Sequence, residues 1–168
     1  MTSRGKPRYS LVLCPLCDLA PLARERSATH ILSLVEPRGF RRSEDIVDHL
    51  VVPMDDVEDP MAKGAPTVVD MARILELGRS IPDGAVLVVH CAAGVSRSGA
   101  AALALLVQEL GDIDAAVAEL RRVRPQAYPN ALLLTHADVL LGCGGHLLAR
   151  LPEIRAAADD WHAEQLGG

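Results

Sequence analysis

The run AVLVVH at 85–90, then CAAGVSRSG at 91–99 and AAALALLVQEL at 100–110, decides how the fold is read. Its first six residues are a continuous apolar stretch opened by Pro82-Asp83-Gly84, the pattern of a strand buried on both faces. Residues 97–110 are apolar almost all round, as a helix enclosed within a domain must be. Between them lies a loop of small residues, and in open α/β sheets ligands sit beyond the carboxyl ends of strands. Such a loop aims several main-chain N–H groups at one point, where the dipole of the following helix adds positive potential. Gly94 is free to take the positive φ of a tight anion-cradling turn. Ala92, Ala93 and Ser96 keep the loop uncluttered, and Arg97 brings a planar fork that fits two phosphate oxygens. A thiol at the mouth of such a loop ionises well below its free value of about 8.5. The field that holds a phosphate dianion therefore also makes Cys91 a nucleophile toward the bound phosphorus.

Outward from this stretch, short β-rich runs alternate with helical patterns. The strands are expected at Tyr9–Leu13, His30–Val35, Val47–Val52 and Ala85–His90. Helices are expected at Pro66–Gly78, at Ser98–Leu110, after a cap at Asp112 or Asp114, at Pro129–Leu141 and at Pro152–Leu166. The fold class is α/β, with a mostly parallel central sheet of four to five strands flanked by helices. At 168 residues the chain is expected to be one domain, 1–168, with 1–8 a flexible tail.

Composition excludes several functions. Seventeen basic against twenty-two acidic residues give a net charge of −5, the wrong sign for a general nucleic-acid or membrane binder. Aromatic residues are 2% of the chain, too few for a base-stacking platform. Four cysteines are too sparse for a disulfide scaffold, so a reducing, cytoplasmic setting is expected. Arg4, Lys6 and Arg8 ahead of an apolar stretch imitate a secretory signal, but Pro15, Asp18 and Pro21 break that stretch. No apolar run of about 18 residues exists to suggest a transmembrane helix. Arginine supplies nearly all the positive charge, with Lys only at 6 and 63, which hints at a GC-rich bacterial genome.

The residues His90-Cys91-x-x-Gly94-x-x-Arg97-Ser98 resemble the HCxxGxxR signature of cysteine-dependent protein tyrosine phosphatases. The Ser after the Arg and the compact length look like the dual-specificity branch. The arrangement is similar to small bacterial proteins described as protein tyrosine phosphatases, over roughly residues 8–145. The resemblance implies a dual-specificity-phosphatase-like sandwich with Cys91 as nucleophile and Arg97 as phosphate ligand. It implies a cradle from the amides of Ala92, Ala93, Gly94, Val95, Ser96 and Arg97. Ser98 would assist departure of the thiolate, and His90 would shape the loop and help set the thiol's acidity. No cofactor or metal is implied. The partner is a phosphorylated protein or a small phosphomonoester.

Phosphoester cleavage needs a proton on the leaving oxygen. The acidic loop Pro53–Gly64 follows a strand, and Asp56, 35 residues before Cys91, best matches the family's acid; Asp55 and Asp59 are alternatives. The stretch Arg124-Pro125-Gln126-Ala127-Tyr128-Pro129-Asn130 resembles the family's RPxxxPN, in which Asn130 braces the phosphate loop. Tyr128 is the nearest candidate for an aromatic pocket wall. Arg121, Arg122 and Arg124 could favour acidic phosphosubstrates or merely complement a helix dipole. Cys14-x-x-Cys17 lacks a second pair to complete a zinc site, and is read as packing, with Cys14 a candidate to trap oxidised Cys91. His30, His49, His136, His146 and His162 have no metal-like spacing and are read as structural or solvated. Two competing readings stay open: a catalytically silent phosphate-binding module, and a rhodanese-like sulfurtransferase, which the five-residue gap between Cys91 and Arg97 disfavours.

Overall fold

The computed structural model describes residues 5–36 and 48–167. Four strands form one sheet: β1 Ser10–Pro15, β2 His30–Val35, β3 Asp48–Pro53 and β4 Val86–Cys91. Their order is β1-β4-β2-β3, and every pairing is parallel. The two central strands, β4 and β2, are the most buried, as strands covered on both faces require. Of the expected third strand, Val47 lies outside the described residues. Residues 1–4 do too, while Arg8 is anchored, donating to both carboxylate oxygens of Glu109 at 3.0 and 2.7 Å.

Register divides the sheet into two faces. Leu11, Leu13, Leu32, Leu34, Leu87 and Val89 enter the main core with Cys91. That core is filled by α3 Arg97–Leu110, whose residues are all buried except Gln108. Each fully buried leucine there contributes about 1.5–3 kcal/mol. The helices α2 Val68–Ser80, α4 Ile113–Val123, α5 Ala131–Leu140 and α6 Leu151–Leu166 complete this side. On the opposite face Cys14, Ala23, Ile31 and Val88 form a small cluster under α1 Leu19–Glu25.

Side-chain caps mark the starts of α2, α4 and α5. Thr67 and Asp70 form a reciprocal capping box at the start of α2, and Asp112 and Asn130 cap α4 and α5. Each such cap is worth about 1 kcal/mol. Gly78 does not stop α2. A Cβ there would lie 2.5 Å from Leu105 of α3, so the glycine permits close helix approach and α2 runs on to Ser80.

Candidate active site

Strand β4 ends at Cys91 and α3 begins at Arg97, so the 92–96 loop lies at the carboxyl end of the sheet. Gly94 takes φ +70, and a Cβ there would stand 2.4 Å from the main chain of Cys14 and Pro15. The end of β1 thus presses directly on the loop, and only glycine satisfies both demands.

Five successive carbonyls of the loop are tied outward. The Ala92 oxygen accepts from the Leu16 amide (3.1 Å), that of Val95 from the Tyr128 amide (3.0 Å) and that of Ser96 from the Asn130 amide (3.2 Å). Arg124 donates to the oxygens of Gly94 (2.9 Å) and Ala93 (3.5 Å). A planar trans peptide points its N–H opposite to its C=O. Tying the carbonyls of 92–96 outward therefore turns the amides of 93–97 the other way. Within the loop, the Gly94 amide donates to the Cys91 Sγ at 3.2 Å, and the Ser98 Oγ lies 3.2 Å from the same sulfur.

Arg97 is 2% exposed. Its Nη1 donates to the Met54 carbonyl (2.8 Å) and its Nη2 to Glu36 (2.9 Å), while its buried Nε has no partner among the described residues. A buried guanidinium donor left unpaired is costly unless an acceptor meets it. A backbone N–H near the Glu36 carboxylate, with the Arg97 charge added, holds that carboxyl below its ordinary range. Neither Glu36 nor Met54 is marked by any local pattern. Both follow strand ends, at β2 and β3, and only the sheet order brings them to one guanidinium.

Asp56 is drawn to the loop and its alternatives are not. Its Oδ1 accepts from the Ser96 hydroxyl (2.7 Å) and from the Asn130 amide (3.0 Å). Asp59 instead accepts from the Met61 amide of its own turn, and Asp55 packs on Gly64. Asn130 also donates to the Val57 carbonyl and caps α5 through Leu133. It therefore holds the acidic loop, while the loop main chain is braced by Arg124, Tyr128 and the Asn130 amide. Glu58 adds a further tie, accepting from Ala131 and pairing with Arg155.

His90 is fully buried, and its Nε2 lies 2.6 Å from the Ser33 hydroxyl, which is itself 2.7 Å from His49 Nε2. Burial pushes the His90 pKa from 6.5 down to about 4, against an opposing hydrogen bond to the Cys91 main chain. Tyr128 is 38% exposed and carries the Arg155 guanidinium over its ring. Arg121 and Arg122 pair with Glu153 and Glu119. Cys14 pairs in register with His90, and Pro15 with Cys91. Neighbours in register share a face, so Cys14 and Cys91 point to opposite sides of the sheet, contrary to the trapping expectation. Burial pushes the Cys14 thiol up to about 11. Among the described residues no helix is long and apolar enough to cross a membrane, and no group of three or more His, Cys, Asp or Glu is placed to hold a metal. A cavity of about 1140 Å³ along the outer edge of β1, lined by Lys6, Leu22, Arg26 and Arg122 among others, lies apart from these residues.

A parallel sheet whose central strand delivers a Cys–loop–Arg to a buried helix is a fold that this chain shares with solved phosphatase domains. Three solved structures carry the likeness. The chain is similar to the Yvh1 phosphatase domain from Chaetomium thermophilum, with 23% identity over 86% of this chain and 96% of that one, at a TM-score of 0.60. It is similar to DUSP15, with 21% identity over 90% and 94%, at a TM-score of 0.62. It is also similar to the human tyrosine phosphatase-like serine/threonine/tyrosine-interacting protein, with 21% identity over 80% and 93%, at a TM-score of 0.61. No protein-family model and no curated protein matches the chain.

Proposed function

We propose that the chain is a phosphatase that hydrolyses phosphomonoesters, phosphotyrosine or another phosphoprotein foremost, through a phosphocysteine. The observation that carries this reading is the set of five outward-tied carbonyls at 92–96 around a cysteine, beside the buried unpaired Nε of Arg97. In the first step the Cys91 sulfur attacks phosphorus; the P–S bond forms as the P–O ester bond breaks. The inward amides and the Arg97 fork stabilise the equatorial oxygens, where charge is spread in the transition state. Asp56 gives its proton to the leaving oxygen. In the second step Asp56, now a carboxylate, takes a proton from the water that attacks phosphorus. The P–S bond breaks, Ser98 hydrogen-bonds the departing thiolate, and inorganic phosphate leaves. None of 92, 93, 95 and 96 is a lysine, which favours a phosphoprotein or small monoester over highly charged inositol phosphates. A reducing, cytoplasmic compartment suits a catalytic thiol.

Steady-state hydrolysis of an aryl phosphate with a chelator present tests the reading. Wild type is expected to turn over, Cys91→Ser to lose turnover entirely, and Arg97→Ala to lose about three orders of magnitude, the scale of removing a transition-state donor. Vanadate binding without turnover would instead make the chain a phosphate-binding module. Thiosulfate–cyanide turnover without phosphatase activity would make it a sulfurtransferase.

A further inference from the structure

We propose that His49 is a positioning residue for the nucleophile, acting on Cys91 through the Ser33 hydroxyl and the His90 ring. The inference rests on the phosphatase reading but reaches residues which that reading does not use. Ser33 of β2 is in register with His90 of β4, and its neighbour Ile31 is in register with His49 of β3. All three side chains therefore lie on the face of the sheet opposite Cys91. The Ser33 Oγ stands 2.6 Å from His90 Nε2 and 2.7 Å from His49 Nε2. A hydroxyl carries one hydrogen and two lone pairs, so it donates to no more than one of the two ring nitrogens. At most one of the two Nε2 atoms is an acceptor, and a ring that accepts from Ser33 fixes its counterpart as a donor.

His90 cannot escape this constraint by ionising, because burial keeps it neutral at neutral pH, with one donor nitrogen and one acceptor. His90 is the residue directly before Cys91 at the end of β4. Its tautomer sets which ring nitrogen carries the hydrogen, and so how the ring is held against that peptide. That choice is transmitted to the start of the loop, where misplacement of the reacting sulfur by a fraction of an ångström is costly. The whole string is buried, so water does not substitute for a missing partner.

The test combines nitrogen-15 spectra of the histidine-labelled full chain, which read the His90 tautomer, with kcat and KM for an aryl phosphate. Wild type is expected to show His90 in one tautomer. In His49→Leu and Ser33→Ala both tautomers become populated; kcat falls about tenfold while KM stays within about twofold, as loss of positioning rather than of binding requires. His49→Gln, whose amide still gives or accepts a hydrogen bond at Ser33, returns kcat to within about threefold of wild type. A single His90 tautomer in both disruptive variants overturns the inference, and so does an equal loss of kcat for Gln and Leu at 49. Should His49→Leu fail to fold, Ser33→Ala and His49→Gln carry the same comparisons. A wild-type chain without turnover refutes the proposed function, and the tautomer spectra still decide the role of His49.

Discussion

One added carbon at Gly94 would meet both a strained conformation and the backbone of β1, at φ +70 and 2.4 Å. Gly94→Ala is expected to cost about 2 kcal/mol or more in urea unfolding, and to remove turnover even where the protein folds. At Asp56 the chemistry changes without the shape. Asp56→Asn is expected to lower kcat by about 10²–10⁴-fold and to erase the limb of the pH–rate profile that reports a protonated acid. Asp59→Asn, in a residue tied only to its own turn, is expected to leave both intact. If Asp59→Asn erases that limb instead, the acid is misassigned. His90 makes a stability prediction. Its folded pKa lies below the ordinary 6.5, at about 4. Between those values the unfolded chain binds the proton and the folded chain does not. The stabilisation is therefore complete above about pH 6.5 and is lost as pH falls toward 4, by on the order of 3 kcal/mol at 1.36 per unit. Urea midpoints from pH 7 to 4 should show this loss in wild type and a flatter profile in His90→Asn; parallel profiles would contradict it.

Helices and strands are held by signals the sequence displays, with instructive exceptions. The apolar run before Cys91, the cap at Asp112 and the helix starts read at Pro66 and Pro129 place β4, α4, α2 and α5 within a residue or two of their positions. Helix α1 is not legible, because Pro21, Asp18 and Pro15 read as breakers. Yet Pro21 falls in the first turn of α1, where its missing N–H costs nothing. The glycine-rich turn after α5 is held by the Asp138 carboxylate, which accepts from the amides of Gly145, Leu147 and Leu148. Asn130 joins two elements, capping α5 and holding Asp56, and substitution separates the two. Asn130→Ala is expected to cost about 1 kcal/mol and to lower kcat. Asn130→Asp keeps a capping oxygen and should cost little stability, but it sets a carboxylate against Asp56 and should lower kcat still. Equal kcat for Asn130→Asp and wild type would show that Asn130 serves α5 alone.

Across the whole molecule, the legible part of the site is the part contiguous in sequence. Residues 90–98 form one strand, loop and helix start, so their spacing announces a cradle. Glu36, Met54 and the Ser33–His49 pair are distant in sequence, and come beside Arg97 and His90 only because β2 lies between β3 and β4. No local pattern encodes that order. It follows from which apolar faces pack, and it places the ends of β2 and β3 beside Arg97. The proposed chemistry therefore depends on the whole sheet delivering one sulfur to one phosphorus. The most direct measurement is acid quenching of the Asp56→Asn variant during turnover of an aryl phosphate, followed by mass spectrometry of the Cys91 peptide. A phosphoryl adduct on Cys91, absent in Cys91→Ser, is the predicted result. Turnover with no adduct, or with the adduct on another residue, would contradict it.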